Sequence, residues 1–201
     1  MHGEVHAHFE MLCRRHAITG RVLEVGAMAS PDTLLLLPAL GGATERIGLN
    51  MDPQPELAGV TMLTGNANHM PAIAAASIDL VLCNSVLEHD ARFWLSLNEM
   101  RRVLRRGGLL MIGVPGYAMS RGAGRRVAAL LERLWPAPLP GARALAAAAA
   151  STPTLHVHNY PADYYRFGPD ALRDVFFAGM EVLSVDRVMA PPRWIGVARQ
   201  P

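Results

Sequence analysis

The chain has 201 residues, of which 51% are apolar, and a formal net charge of +2. This length and apolar content suit one globular domain with a full core, and the nearly balanced charge gives no reason to expect nucleic acid as a partner. No segment reaches the roughly 20 apolar residues that span a bilayer, and the first residues lack the pattern of a secretory signal, so we expect a cytoplasmic protein with no transmembrane segment.

Short apolar runs alternate with helical patterns in the first half of the chain, which is typical of a parallel sheet covered by helices on both faces. A Ser-Pro pair at one end and two glycines at the other predict a helix over 32–40. Apolar residues at helical spacing predict another helix over 92–105. Five strands are predicted in this half, at 21–26, 46–50, 60–64, 78–83 and 109–114.

The alternation stops near residue 116 and resumes near residue 160. Between these points, Gly, Pro and alanine runs surround one arginine-bearing helical pattern over 125–135. A long interruption in a compact chain is more often a functional lid than a plain loop, so we predict a lid insertion at about 116–160 within one domain of 1–201. The remaining predicted elements are a helix over 170–177 and closing strands over 180–187 and 194–199.

Small or polar residues follow each of the first five strands, at the edge where open α/β sheets bind ligands. In chain order they belong to LEVG (23–26), IGLNMDP (47–53), GNANHMP (65–71), IDLVLCNSVLEHD (78–90) and RRVLRRGGLLMIGVPG (101–116). In order and spacing, these motifs resemble those of class I S-adenosylmethionine-dependent methyltransferases, above all the small bacterial branch often called type 11. The resemblance implies an α/β, Rossmann-like, doubly wound sheet of seven mostly parallel strands, a methyltransferase activity, and S-adenosyl-L-methionine as the cofactor.

By this resemblance, eight residues at the strand ends would bind the cofactor. Glu24 would lie near its amino group, and Gly26 would let the backbone approach its methionyl part, whose carboxylate would bind free amides at the start of the next helix. Asn50, or Asp52 two residues later, would hold the ribose, and Asn66 would accept a hydrogen bond from the adenine amino group. The other expected cofactor-binding residues are Ala67, Asn84 and Ser85.

The proposed cofactor turn departs from the family pattern. Met28 and Ser30 stand where the family commonly has glycine, and Asn50 stands where it favours a carboxylate that accepts hydrogen bonds from both ribose hydroxyls. An amide has one acceptor oxygen, so we expect cofactor binding to be weaker by roughly 10- to 100-fold. The same departures leave open a second interpretation, a catalytically silent protein that uses the fold as a scaffold or partner-binding module. A dinucleotide-dependent dehydrogenase is disfavoured because the phosphate-binding glycine spacing is missing.

The resemblance also indicates residues for catalysis. His156 is the first candidate for a base, because the matching segment of similar proteins faces the pocket, and His89 is the second. Arg166 would pair with a carboxylate or phosphate of the acceptor. Three structural alternatives stay open: His89 orients the following helix, Arg166 pairs with Asp163, and His156 packs beside His158 in a polar loop. No metal is expected, because no third ligand stands near the two histidines.

These residues and the resemblance together predict methyl transfer from S-adenosyl-L-methionine to a small-molecule or saccharide-like acceptor, at oxygen. The saccharide preference is implied only by the resemblance, since similar proteins often accompany surface polysaccharides. The sequence does not indicate an oligomeric state.

Overall fold

The computed structural model describes residues 2–117, the helical residues 126, 127, 129, 130 and 133, and residues 161–201. In these ranges the strands are β1 (Gly20–Val25), β2 (Ala43–Asn50), β3 (Thr61–Thr64), β4 (Ile78–Asn84), β5 (Leu104–Pro115), β6 (Glu181–Val188) and β7 (Arg193–Arg199). They form one seven-stranded sheet in the order β3-β2-β1-β4-β5-β7-β6, and β7 runs antiparallel to both of its neighbours. The predicted doubly wound, mostly parallel seven-stranded sheet is confirmed.

The core lies on both faces of the sheet, because successive side chains of the central strands point to opposite faces. On one face, Leu23 and Val81 pack against helix α2 (Phe93–Val103) and the π-helical segment Ala171–Phe176. On the other face, alternate residues of the same strands pack against the N-terminal helix α1 (Gly3–Arg15). The two layers fix the carboxyl ends of β1, β2, β3, β4 and β5 at one edge, since these strands are parallel.

The helix predicted over 32–40 is wrong. The chain there forms two short 3-10 turns, Leu34–Leu36 and Pro38–Leu40. Between them, Leu37 is extended, with ψ at 130°, because the proline ring at position 38 disfavours a helical conformation in the residue before it. The apolar residues of the segment are still buried and fill the space that a helix face would fill: Leu34, Leu35, Leu37 and Leu40.

Two other boundaries differ from the prediction. The sequence analysis predicts no element where the structure has helix α1, although Val5, Phe9 and Leu12 recur at helical spacing and are buried. Strand β5 begins at Leu104, where it pairs with β4, and continues through Gly107 with φ at +73°. The sequence predicts a helix over 92–105 and a strand over 109–114, so the observed strand begins five residues earlier and passes through Gly107 and Gly108.

Most of the predicted lid at 116–160 lies outside the described residues. The five helical residues between positions 126 and 133 fall inside the helix predicted over 125–135, and the side chains of Val127 and Leu130 are exposed. The division into a single domain with a lid stays a prediction. Within the described part of the chain, no helix is long and apolar enough to cross a membrane.

Candidate functional site

A cavity of about 430 Å³ opens at the carboxyl edge of the sheet, within the range of about 300–1,000 Å³ that is typical of small-molecule sites. Its wall is formed by α1, the turn after β1, the ends of β4 and β5, and the connection between β6 and β7. Strands β1 and β4 are neighbours. After β1 the chain continues to β2, toward one edge of the sheet, and after β4 it continues to β5, toward the other edge. This is the switch point at which open α/β sheets bind ligands. Four predicted cofactor-binding residues line the cavity, namely Glu24, Gly26, Asn84 and Ser85.

Glu24 is a buried carboxyl that organises the turn after β1. Its Oε2 accepts a hydrogen bond from the Thr33 hydroxyl at 2.5 Å and another from the Leu35 amide at 3.3 Å. Burial raises the pKa of Glu24, and these hydrogen bonds oppose that shift. The carboxyl therefore shares the Leu35 amide with the N-cap residue Thr33, and it also forms part of the cavity wall.

Gly26 is required by the packing of the protein itself. Its φ of +80° lies in the left-handed region, and a Cβ at this position would overlap Cγ2 of Val86. Its amide donates to the Leu49 carbonyl at 2.8 Å, which joins the turn to the end of β2. The glycine thus serves a turn that passes close to the end of β4.

Asn50 is committed to two hydrogen bonds with the protein. Its Nδ2 donates to the Ala27 carbonyl at 2.8 Å, and its Oδ1 accepts from the Asp52 amide at 3.0 Å. A carboxylate cannot donate to a carbonyl, so this contact explains why an amide replaces the acid that the family favours. Asp52 is exposed.

The residues after β3 also make local contacts. Asn66 is exposed, and its Oδ1 accepts from the Asn68 amide at 2.8 Å. Ala67 packs against the core, while Asn68 donates to Asp90 at 2.6 Å and to Ser96 at 2.7 Å. The residues predicted for the adenosine side therefore lie outside the cavity, because none of Asn50, Asp52, Asn66 and Ala67 is among the described residues that line it.

Arg193 is a feature of the site that the sequence analysis missed, and it lies beside the buried Glu88. Arg193 lines the cavity at the start of β7, and its Nη2 donates to the Ser85 hydroxyl and lies 3.7 Å from Oε1 of Glu88. Ser85 has φ at +59°, which is uncommon for a residue other than glycine. Sequence analysis began the last strand at Trp194; an arginine directly before an apolar strand was the signal available in the sequence.

Burial dominates the electrostatics of this pair. The Glu88 side chain is fully buried, which raises its pKa to about 7, although the charges of Arg193 and Arg166 act in the opposite direction. Burial also lowers the pKa of Arg193, while the charge of Glu88 opposes that shift. Near neutral pH, a large fraction of molecules therefore carries Glu88 in its neutral form beside a charged guanidinium.

The three predicted catalytic residues have different positions. Arg166 pairs with Asp163 through two contacts of 2.5 and 2.6 Å, which is the structural alternative considered for it. His89 ends the 3-10 turn Leu87–His89 after β4 and is not among the described residues that line the cavity. His156 lies outside the described residues. All three catalytic assignments stay predictions.

Residues 43–112 match the family model of a methyltransferase domain. The structure of Burkholderia thailandensis 1,6-didemethyltoxoflavin-N1-methyltransferase, with 1,6-didemethyltoxoflavin and S-adenosylhomocysteine bound, is similar with a TM-score of 0.61 and 15% identity, over 97% of this chain and 77% of that chain. The N-methyltransferase NodS from Bradyrhizobium japonicum WM9, in complex with S-adenosylhomocysteine, is similar with a TM-score of 0.62 and 12% identity, over 98% and 86%. This chain has the class I methyltransferase fold.

The resemblance is thus confirmed at the level of the fold, and both of these neighbours hold S-adenosylhomocysteine, the demethylated form of the expected cofactor S-adenosylmethionine. The [4+2]-cyclase SpnF is also similar to this methyltransferase fold, with a TM-score of 0.64 and 15% identity, over 96% of this chain and 81% of that chain. No curated protein matches the chain. Since one fold carries different chemistries, the activity of this methyltransferase-fold protein has to be argued from its own residues.

Proposed function

We propose that this chain transfers a methyl group from S-adenosylmethionine to a small-molecule acceptor. The observation that carries the proposal is the cavity at the switch point between β1 and β4. Its described wall is mainly apolar and carries carboxyl, hydroxyl, amide and guanidinium groups at a few positions, which is the composition typical of small-molecule sites.

The cavity suits the methionyl part of S-adenosylmethionine. That group carries an ammonium and a carboxylate, and the cavity wall holds carboxyl groups of Glu24 and Asp32 and the guanidinium of Arg193. Asn84 and Ser85 supply an amide and a hydroxyl at the end of β4. When bound, the cofactor supplies an electrophilic methyl group on its sulfonium, so the protein has to orient the acceptor and remove a proton.

The residues beside the cavity suit the adenosyl part. Met28, which lines the cavity, and Met51 are 62% and 69% exposed, and they offer apolar surface to an adenine ring. Asn50 keeps a second lone pair on Oδ1 for a ribose hydroxyl, and the exposed carboxyl of Asp52 lies two residues further along the chain. We propose Asn66 and Ala67 for the adenine end.

For the acceptor we propose a small or saccharide-like molecule that is methylated at oxygen. His156 is the proposed base and His89 the second candidate. Arg166 would share its guanidinium between Asp163 and an anionic group of the acceptor, because a guanidinium has five N–H donors.

The activity is tested by release of S-adenosylhomocysteine from S-adenosylmethionine in the presence of a panel of saccharides and small hydroxyl compounds. We expect release with at least one hydroxyl acceptor, and we expect its loss in His156→Ala with cofactor binding unchanged. A fully active His156→Ala variant, with an inactive His89→Ala variant, would transfer the role of base to His89. Release that depends on amine or thiol acceptors alone would contradict methylation at oxygen.

A catalytically silent scaffold is the second candidate. Two observations favour it. The side-chain amide of Asn50 already makes hydrogen bonds with Ala27 and Asp52, and the segment after β1 forms 3-10 turns where the family would supply a helix N-terminus. This candidate requires that the cofactor does not bind, so a direct binding measurement separates the two.

A further inference from the structure

The turn after β1 gives little help to a carboxylate ligand. Several of its backbone amides already have acceptors: those of Ala29, Ser30 and Thr33 donate to Gln54, Met28 and Ser30, respectively. The Leu35 amide donates to the Glu24 carboxyl and to the Thr33 hydroxyl. A carboxylate placed here would meet occupied amides and the buried acid Glu24, so the free helix amides expected for the methionyl carboxylate are not built in this chain.

On the basis of the proposed function, we propose that Arg193 binds the methionyl carboxylate of S-adenosylmethionine. Arg193 is the one arginine among the described residues that line the cavity. Arg193 lies on the β7 side of the cavity, opposite Pro115 in the register of β5 and β7. Glu24, at the end of β1, and Asp32, in the following turn, lie on the other side. The two sides together provide opposite charges for the ammonium and the carboxylate of one amino acid group.

The guanidinium of Arg193 has donors to spare. Its side chain is only 13% exposed, and its Nε has no hydrogen-bond partner among the described residues. Its Nη2 donates to Ser85, which is held in a left-handed conformation at the end of β4. A buried cation with unused donors is costly unless an anion pairs with it, and a carboxylate is the anion that a guanidinium binds through two parallel hydrogen bonds.

Glu88 is an ion-pair partner of Arg193, with its Oε1 3.7 Å from Nη2. This distance exceeds that of a hydrogen bond, so the pair does not supply the two parallel hydrogen bonds that a ligand carboxylate would accept. Burial raises the pKa of Glu88 to about 7, so the neutral form is available when a second carboxylate arrives beside Arg193. An anionic acceptor would also satisfy Arg193, but it carries no ammonium group for the side of the cavity that Glu24 and Asp32 line.

The test compares two ligands and two variants by calorimetry. S-Adenosylhomocysteine carries the amino acid group, and 5′-methylthioadenosine lacks it. Arg193→Gln should bind S-adenosylhomocysteine roughly 10- to 100-fold more weakly than wild type and should bind 5′-methylthioadenosine equally well. Arg199→Gln is the matched control, because Arg199 lies at the other end of the same strand and pairs with Glu181; it should leave both affinities unchanged.

Several outcomes would overturn the inference. If Arg193→Gln weakens both ligands equally, or neither, Arg193 does not bind the carboxylate; unchanged affinity would leave an anionic acceptor as its partner. If the variant fails to fold, wild type alone decides: it should bind decarboxylated S-adenosylmethionine roughly 10- to 100-fold more weakly than S-adenosylmethionine, and equal affinity would overturn the assignment. Wild type that binds none of these ligands would overturn the proposed function itself, a result distinct from the loss of Arg193 alone.

Discussion

At the scale of single residues, Asn50 accounts for a departure from the family pattern. Its Nδ2 donates to the Ala27 carbonyl, and a carboxylate would lose that bond and meet a carbonyl oxygen instead. We predict that Asn50→Asp lowers the free energy of unfolding by about 1–3 kcal/mol, measured by urea denaturation. Asn66→Asp is the control, because that exposed residue only accepts a hydrogen bond from the Asn68 amide, which a carboxylate also does. Equal stability of the two variants would contradict this explanation.

Glu88 makes the free energy of unfolding depend on pH. Burial raises its pKa to about 7 from an ordinary value of 4.5, so the folded state binds the proton more tightly than the unfolded state. The folded protein favours neutral Glu88. The free energy of unfolding therefore falls as the pH rises from the ordinary pKa of 4.5 to the raised pKa of about 7. Arg193, Arg166 and Asp163 are the charges that act on this carboxyl.

Glu88→Gln should remove this loss, because an amide does not ionise. Its stability relative to wild type should increase between about pH 5 and about pH 8, by on the order of 3 kcal/mol. Thermal melting of both proteins across this range measures the difference. A difference that stays constant with pH, or that shrinks as the pH rises, would show that Glu88 does not titrate in this way.

At the scale of elements, the sequence identified the buried strands best. The run over 78–83 is apolar and bounded by polar residues, and β4 (Ile78–Asn84) matches it within one residue. The helix over 32–40 failed because the Ser-Pro start signal and the two terminal glycines were weighed without the effect of Pro38 on Leu37. Both cases follow from local chemistry, and the second could have been predicted correctly from the proline alone.

The site was only partly predictable, for a different physical reason. Strand ends locate the cavity, and Glu24, Gly26, Asn84 and Ser85 do line it. The approach of Arg193 to Ser85 depends on the antiparallel insertion of β7 beside β5, a contact between distant parts of the chain that no local pattern encodes.

Helix α1 is the element whose role most needs a test, since the sequence analysis assigned nothing there. Phe9 is fully buried, and its ring lies against Gly113 of β5, where an added Cβ would come within 3.1 Å. We predict that Phe9→Ala lowers the free energy of unfolding by about 3–5 kcal/mol. Met11→Ala, on the exposed side of the same helix, should cost far less. Comparable losses in urea denaturation would mean that α1 does not pack on the sheet as described.

At the scale of the whole molecule, the two ends of the proposed cofactor site are built differently. The methionyl end is a cavity between β1, β4 and β7 whose mainly apolar wall carries a few charged and polar groups, and the adenosyl end is formed by residues outside this cavity, near the exposed Met51. The amino acid group should therefore contribute a large share of the affinity, since burial strengthens charged hydrogen bonds and exposure weakens them.

The most direct test of the central claim is calorimetric titration of the wild-type protein with S-adenosylhomocysteine. Our account predicts binding of one molecule per chain with micromolar affinity, because the cavity supplies opposite charges for both ends of the amino acid group. Absence of any heat of binding at millimolar ligand would contradict the account, and it would leave the class I methyltransferase fold as a scaffold in this protein.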